Sequence, residues 1–166
     1  HLRGLARESQ GDNDGALTDF DRAIALLRQA VEIFPDDIEA YLESGRLYVR
    51  QREYGRALVR YGQAEDLFQE APAPNKEIAS VRFLQVKEKI EAGADPESPE
   101  IMGLLKEATE HCRLAHKKNQ DMMVRSTHVP DAEQTIDISQ EILKWNPAEF
   151  LGANHPAVKE LQSLVE

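Results

Sequence analysis

Between residues 38 and 69, small and bulky side chains recur in a fixed order: Tyr41, Gly45 and Tyr48, then Ala57, Tyr61 and Ala64. Their spacing reads as two amphipathic helices meeting around Gln51-Arg52-Glu53. Each small residue lets an opposing backbone approach, and each large one fills the gap beside it, which is how antiparallel helices interlock. The same order stands upstream in Gly4, Gln10-Gly11-Asp12, Ala16, Phe20 and Ala23; Gly4 to Ala16 and Gly45 to Ala57 are both 12 residues. No sustained alternation of β-branched or aromatic residues bounded by turns competes with this pattern. An all-α chain of helix hairpins is the expectation.

On these residues the segment 38–71 resembles a tetratricopeptide repeat over its full 34-residue unit. Two departures stand out: Ser44 where the family usually has leucine, and Gln69 in place of the closing proline, with Pro72 and Pro74 following shortly. The stretch before it resembles the same unit but runs long. Asp21-Arg-Ala-Ile is followed seven residues later by Arg28-Gln-Ala-Val, close to two helical turns, so one continuous helix over about 16–34 is predicted. Past Ala71-Pro-Ala-Pro the resemblance weakens. A helix over 76–92, a Gly/Pro-rich loop over 93–99, and a helix capped by Ser98 with Pro99 at its first position make a third hairpin. In it Ala108, Cys112 and Ala115 repeat the spacing of Ala57, Tyr61 and Ala64. A helix over 131–145, closing at Asn146-Pro147, is similar to the end of another repeat, while 119–130 reads as either loop or short helix. The resemblance implies a right-handed superhelical array of antiparallel hairpins (about 1–35, 38–71, 75–118 and 120–146) forming one domain over 1–166. A last helix within 155–166 would cover the array's apolar end.

The net charge of −10, from 30 acidic and 20 basic residues, disfavours nucleic acid and anionic membrane surfaces, whose phosphates are held by lysine and arginine. No apolar run reaches the roughly 20 residues that span a bilayer, so no membrane insertion is expected. Cys112 is the single cysteine, which precludes an intrachain disulfide and points to a reducing, cytoplasmic location. The chain opens at His1, without methionine and within a helical pattern, and so reads as a piece of a longer protein.

Residues that carry chemistry are sparse. Phosphate-cradling glycine loops, a nucleophile elbow and paired-cysteine metal patterns are missing from the sequence. Cys112 with His116 and neighbouring His111 is a metal hint lacking a second cluster; the plainer reading puts Cys112 in the core. Asp12, Asp14, Gly15 and Asp21 approach the spacing of a calcium loop, but Gln10 holds the leading ligand position and the repeat spacing claims the same segment for a turn and helix. Glu39 with Glu43, and Glu65 with Asp66, read as charged surface rather than an acid–base pair. Tyr41, Tyr48, Tyr54 and Tyr61 fit inter-helix packing better than a stacking platform, and Trp145 near a helix end could touch a ligand or cover the array's end. No catalytic residue, cofactor or metal is expected.

The resemblance implies that first helices of successive hairpins line a concave groove. On the best-matched one, Glu39, Leu42, Glu43, Arg46, Val49 and Arg50 are not needed for packing and share a side by helical spacing; Leu5 and Glu8 extend it. Leucine and valine beside two arginines suit a protein or peptide with apolar anchors and some acidic character. Some family members clamp the acidic tail of heat-shock chaperones, but Glu39 and Glu43 would repel a terminal carboxylate, so that ligand is not expected. The leading expectation is a protein-binding scaffold or adaptor. The alternative is a regulatory or sensory domain of a larger enzyme or signalling protein, and a third is a subunit that self-associates through its array ends.

Overall fold

The computed structural model describes residues 1–125 and 147–163. Among these every regular element is a helix: α1 (Leu2–Ser9), α2 (Asn13–Ile33), α3 (Ile38–Arg50), α4 (Tyr54–Leu67), α5 (Ala73–Glu91), α6 (Pro99–Arg125), α7 (Pro147–Leu151) and α8 (Pro156–Ser163). The long second helix spans 13–33, as the seven-residue echo within it predicts. Residues 119–125 continue α6 without a break. The helix expected over 131–145, with Trp145, lies outside the described residues.

Local chemistry sets where these helices start and stop. The Asp12 carboxylate accepts the Gly15 N–H at 3.0 Å and Asp37 accepts the Glu39 N–H at 3.1 Å, satisfying amides that the first turn leaves without partners. Ser98 does the same for Ile101 at 3.4 Å. The first helices of three hairpins end alike. Asp12 N–H reaches Arg7 O at 2.9 Å, Glu53 N–H reaches Tyr48 O at 2.9 Å, and Ala94 N–H reaches Lys89 O at 2.9 Å. Each such bond spans a residue of positive φ: Gly11 at 81°, Arg52 at 59° and Gly93 at 93°. This is the left-handed helix stop that glycine adopts without strain. Arg52 occupies the register of Gly11 at a cost of about 1 kcal/mol, the penalty for a Cβ in that region.

The chain divides into two compact units, His1–Phe68 and Gln69–Glu166. In the first, α1 packs on α2, α2 on α3 and α3 on α4. Ala16, Phe20, Ala23 and Ile24 of α2 form a core with Leu47 of α3. Gly4 lies so close to Phe20 that a Cβ there would stand 2.6 Å from the ring, and Gly45 is pressed still more closely onto Tyr61. The small-against-large pattern is therefore literal contact. Tyr41 and Tyr61 are buried as core residues. Tyr48 and Tyr54 are only half-buried; Tyr48 packs against the α2–α3 core as its spacing predicts, with the Arg56 guanidinium over its ring, 5.8 Å from ring centre to Cζ. Ser44, the departure from the family pattern, is buried and turns its hydroxyl back to Ala40 O at 2.7 Å. A polar side chain thus needs no partner beyond its own helix.

In the second unit α5 pairs with α6, and α8 packs on α6. Phe83, Val86, Ile101, Leu105, Cys112 and Leu161 belong to one core. At its polar margin the buried Asn75 amide donates to His111 Nδ1 at 3.0 Å while its carbonyl oxygen accepts from Lys118 Nζ at 2.5 Å. Those bonds satisfy a side chain that would be costly to bury alone.

Candidate binding face

Helix α3 presents Glu39, Glu43, Arg46, Val49 and Arg50 at exposed or half-exposed positions. Leu42, expected beside them, is 1% exposed. It is a packing residue, and the expectation that it is free for a partner is corrected. The reason is periodicity: on a helix packed on more than one flank, the apolar stripe is wider than a two-helix interface requires. Without Leu42 the ridge keeps a single aliphatic contact, Val49, and is otherwise charged.

Those charges are internally matched. Arg50 Nη1 lies 2.7 Å from Glu8 Oε2, tying α3 to α1. Arg46 Nη1 lies 3.3 Å from Glu43 and 3.6 Å from Glu39. His1 Nδ1 makes a close contact with the Glu43 carboxylate. Leu5 is half-buried and packs against the α2–α3 core. Beside Glu43 opens an apolar cleft of about 600 Å³, with Leu2, Ala23, Leu26 and Leu27 in its walls.

The residue that the small-and-large search missed is Asp19, 4% exposed on α2. Arg3 Nε donates to its Oδ2 at 2.8 Å, a second Arg3 nitrogen meets Oδ1, and Arg7 Nη1 stands 3.2 Å from Oδ2. The Arg3 hydrogen bonds hold the Asp19 carboxyl below its ordinary value, against the opposing effect of burial and with help from the charges of Arg3, Arg7 and Arg22. Arg3 is correspondingly raised. A lowered folded pKa means stabilisation that is complete above the ordinary carboxylate value of about 3.9 and is lost as pH falls through the lower, folded value. Asp19→Asn should therefore destabilise the protein at neutral pH, with the gap to wild type closing below about pH 4. Urea unfolding at neutral and acidic pH measures this; a gap that stays constant into strong acid would show that Asp19 is not the anchor of α1.

The other motifs resolve into structural roles. Asp12 is spent on capping α2, and residues 13–33 are helix, so the segment that approached a calcium loop is a repeat turn and helix. Cys112 is buried in the second core, His111 faces Asn75, and His116 Nε2 lies 2.7 Å from the Gln120 amide nitrogen. The three point to different surroundings. Among the described residues no group of three or more histidine, cysteine or acidic side chains is placed to hold a metal.

A family model described as a tetratricopeptide repeat matches residues 10–82. That span takes in the second helix of the first hairpin, the whole of α3 and α4, and the start of α5. No curated protein matched the chain.

Proposed function

We propose, from the match of residues 10–82 to the tetratricopeptide-repeat model, that this chain is a scaffold that holds a protein or peptide on the α1–α3 face and performs no catalysis itself. Repeats of this family are in general protein-interaction modules. The observation that carries the more specific reading is the α3 ridge. Glu39, Arg46 and Arg50 have side chains 71%, 41% and 42% exposed, in line along one helix whose other flanks are used for packing. A rigid helix that presents side chains without moving loses little freedom on binding. The net charge of −10 favours a protein partner over nucleic acid. Among the described residues no helix is long and apolar enough to cross a membrane.

Affinity capture with the tagged chain, compared with Arg46→Glu/Arg50→Glu, tests the assignment. The double variant should retain its helical circular dichroism and shift the affinity for the captured partner by about tenfold, downward for an acidic partner and upward for a basic one, since reversing two charges at a contact face inverts its local electrostatics. Unchanged affinity would place the partner elsewhere on the molecule.

A further inference from the structure

Resting on that docking face, we infer that its partner segment is basic: a lysine- or arginine-bearing peptide whose cations meet Glu39 and Glu43. The acidic peptide suggested by Arg46 and Arg50 in the sequence fits the structure poorly. Both guanidinium groups already have carboxylate partners, Arg50 at 2.7 Å from Glu8 and Arg46 at 3.3 Å from Glu43. An incoming carboxylate would have to displace one of these and leave it beside a new like charge. An incoming cation at Glu39 displaces only the long 3.6 Å contact with Arg46, and at Glu43 it joins His1 and Arg46 on the same carboxylate.

The count on the face points the same way. Glu8, Glu39 and Glu43 supply three carboxylates against the two guanidinium groups of Arg46 and Arg50, with the His1 imidazole beside Glu43 alone. The surplus is concentrated at the start of α3, because Glu39 is 71% exposed and its contact with Arg46 is long, at 3.6 Å. A lysine or arginine there gains a carboxylate that no short bond holds. The chain's net charge of −10 draws a basic segment towards the face before contact. That general pull is screened beyond about 10 Å at 0.1 M salt, whereas pairing at Glu39 and Glu43 is local.

The test uses two fluorescent probes on the full chain: a short leucine-containing peptide bearing lysines, and the same peptide with glutamate at each lysine position. The basic probe should bind at least about tenfold more tightly than the acidic one. Glu39→Gln/Glu43→Gln should weaken it about fivefold or more, and Glu39→Lys/Glu43→Lys further. Asp66→Lys/Glu97→Lys makes the same change in net charge on residues that belong to neither α1 nor α3, and should weaken it far less. Circular dichroism checks folding, and the glutamine pair keeps the test decisive if the lysine pair unfolds. Equal weakening by this control pair would overturn the inference, showing only general attraction. Tighter binding of the acidic probe, abolished by Arg46→Glu/Arg50→Glu, would overturn the basic assignment and leave the docking face standing. Indifference of both probes to every α3 substitution would overturn both.

Discussion

Replacing Gly45 by alanine should destabilise the protein by about 2–3 kcal/mol, although alanine is the better helix former. The added methyl would press on Tyr61 Cε1, with Cζ at 2.6 Å and Cδ1 at 2.8 Å. Tyr61 is 1% exposed, so its ring has nowhere to swing. Overpacking of a close-packed core costs typically 1–3 kcal/mol and sometimes more, and here it outweighs the gain of about 1 kcal/mol in helix propensity. Gly62→Ala is the control. It lies in α4 with no heavy atom within 4 Å of the new Cβ, so only propensity acts and the variant should be more stable by about 0.5–1 kcal/mol. Urea unfolding gives both values. The cycle with Tyr61→Leu isolates the contact: the double variant should be more stable than the sum of the single changes allows. Additive behaviour would mean that glycine is needed at 45 for some reason other than the ring.

The success and the failures of sequence reading both follow from what spacing encodes. Gly45 with Tyr61 and Gly4 with Phe20 were legible because a close approach demands a missing side chain on one helix and a large one on the other. Gly11 and Gly93 announced helix stops for a similar reason, since glycine takes positive φ without strain. Arg52 adopts the same conformation at φ 59° and could be located only through its register with Gly11. Asp19 was invisible. Its burial depends on Arg3 and Arg7 reaching it from the preceding helix, and charged residues at helical spacing ordinarily signify surface. Leu42 failed in the other direction: spacing put it with Glu39 and Arg46, but could not show how many neighbours α3 has. The binding face was legible as a place and illegible as a charge. Residue type says that Arg46 and Arg50 are cations, and only coordinates show that Glu43 and Glu8 already neutralise them.

If bulk and gap have exchanged helices in the second unit, Phe83 is where that can be measured. In the first unit the second helix supplies bulk, Tyr61, against a glycine on the first. In the second unit Cys112 stands in the Tyr61 register on α6, and Phe83 on α5, 1% exposed, shares its core with Val86, Ile101, Leu105 and Leu161 as well as with Ala79, Ala108, Cys112 and Ala115. A close-packed core relaxes only partly into the space that a ring vacates. Phe83→Ala should therefore cost about 3–5 kcal/mol. Returning the bulk from the other helix should repair it. In the Phe83→Ala background, Cys112→Phe should recover more than half of the loss, whereas alone, against an intact Phe83, it should destabilise by about 1–3 kcal/mol. Equilibrium unfolding of the four proteins settles the sign of the coupling. If Cys112→Phe is as harmful without Phe83 as with it, the two side chains do not compete for one space, and the exchanged-parts account of this hairpin fails.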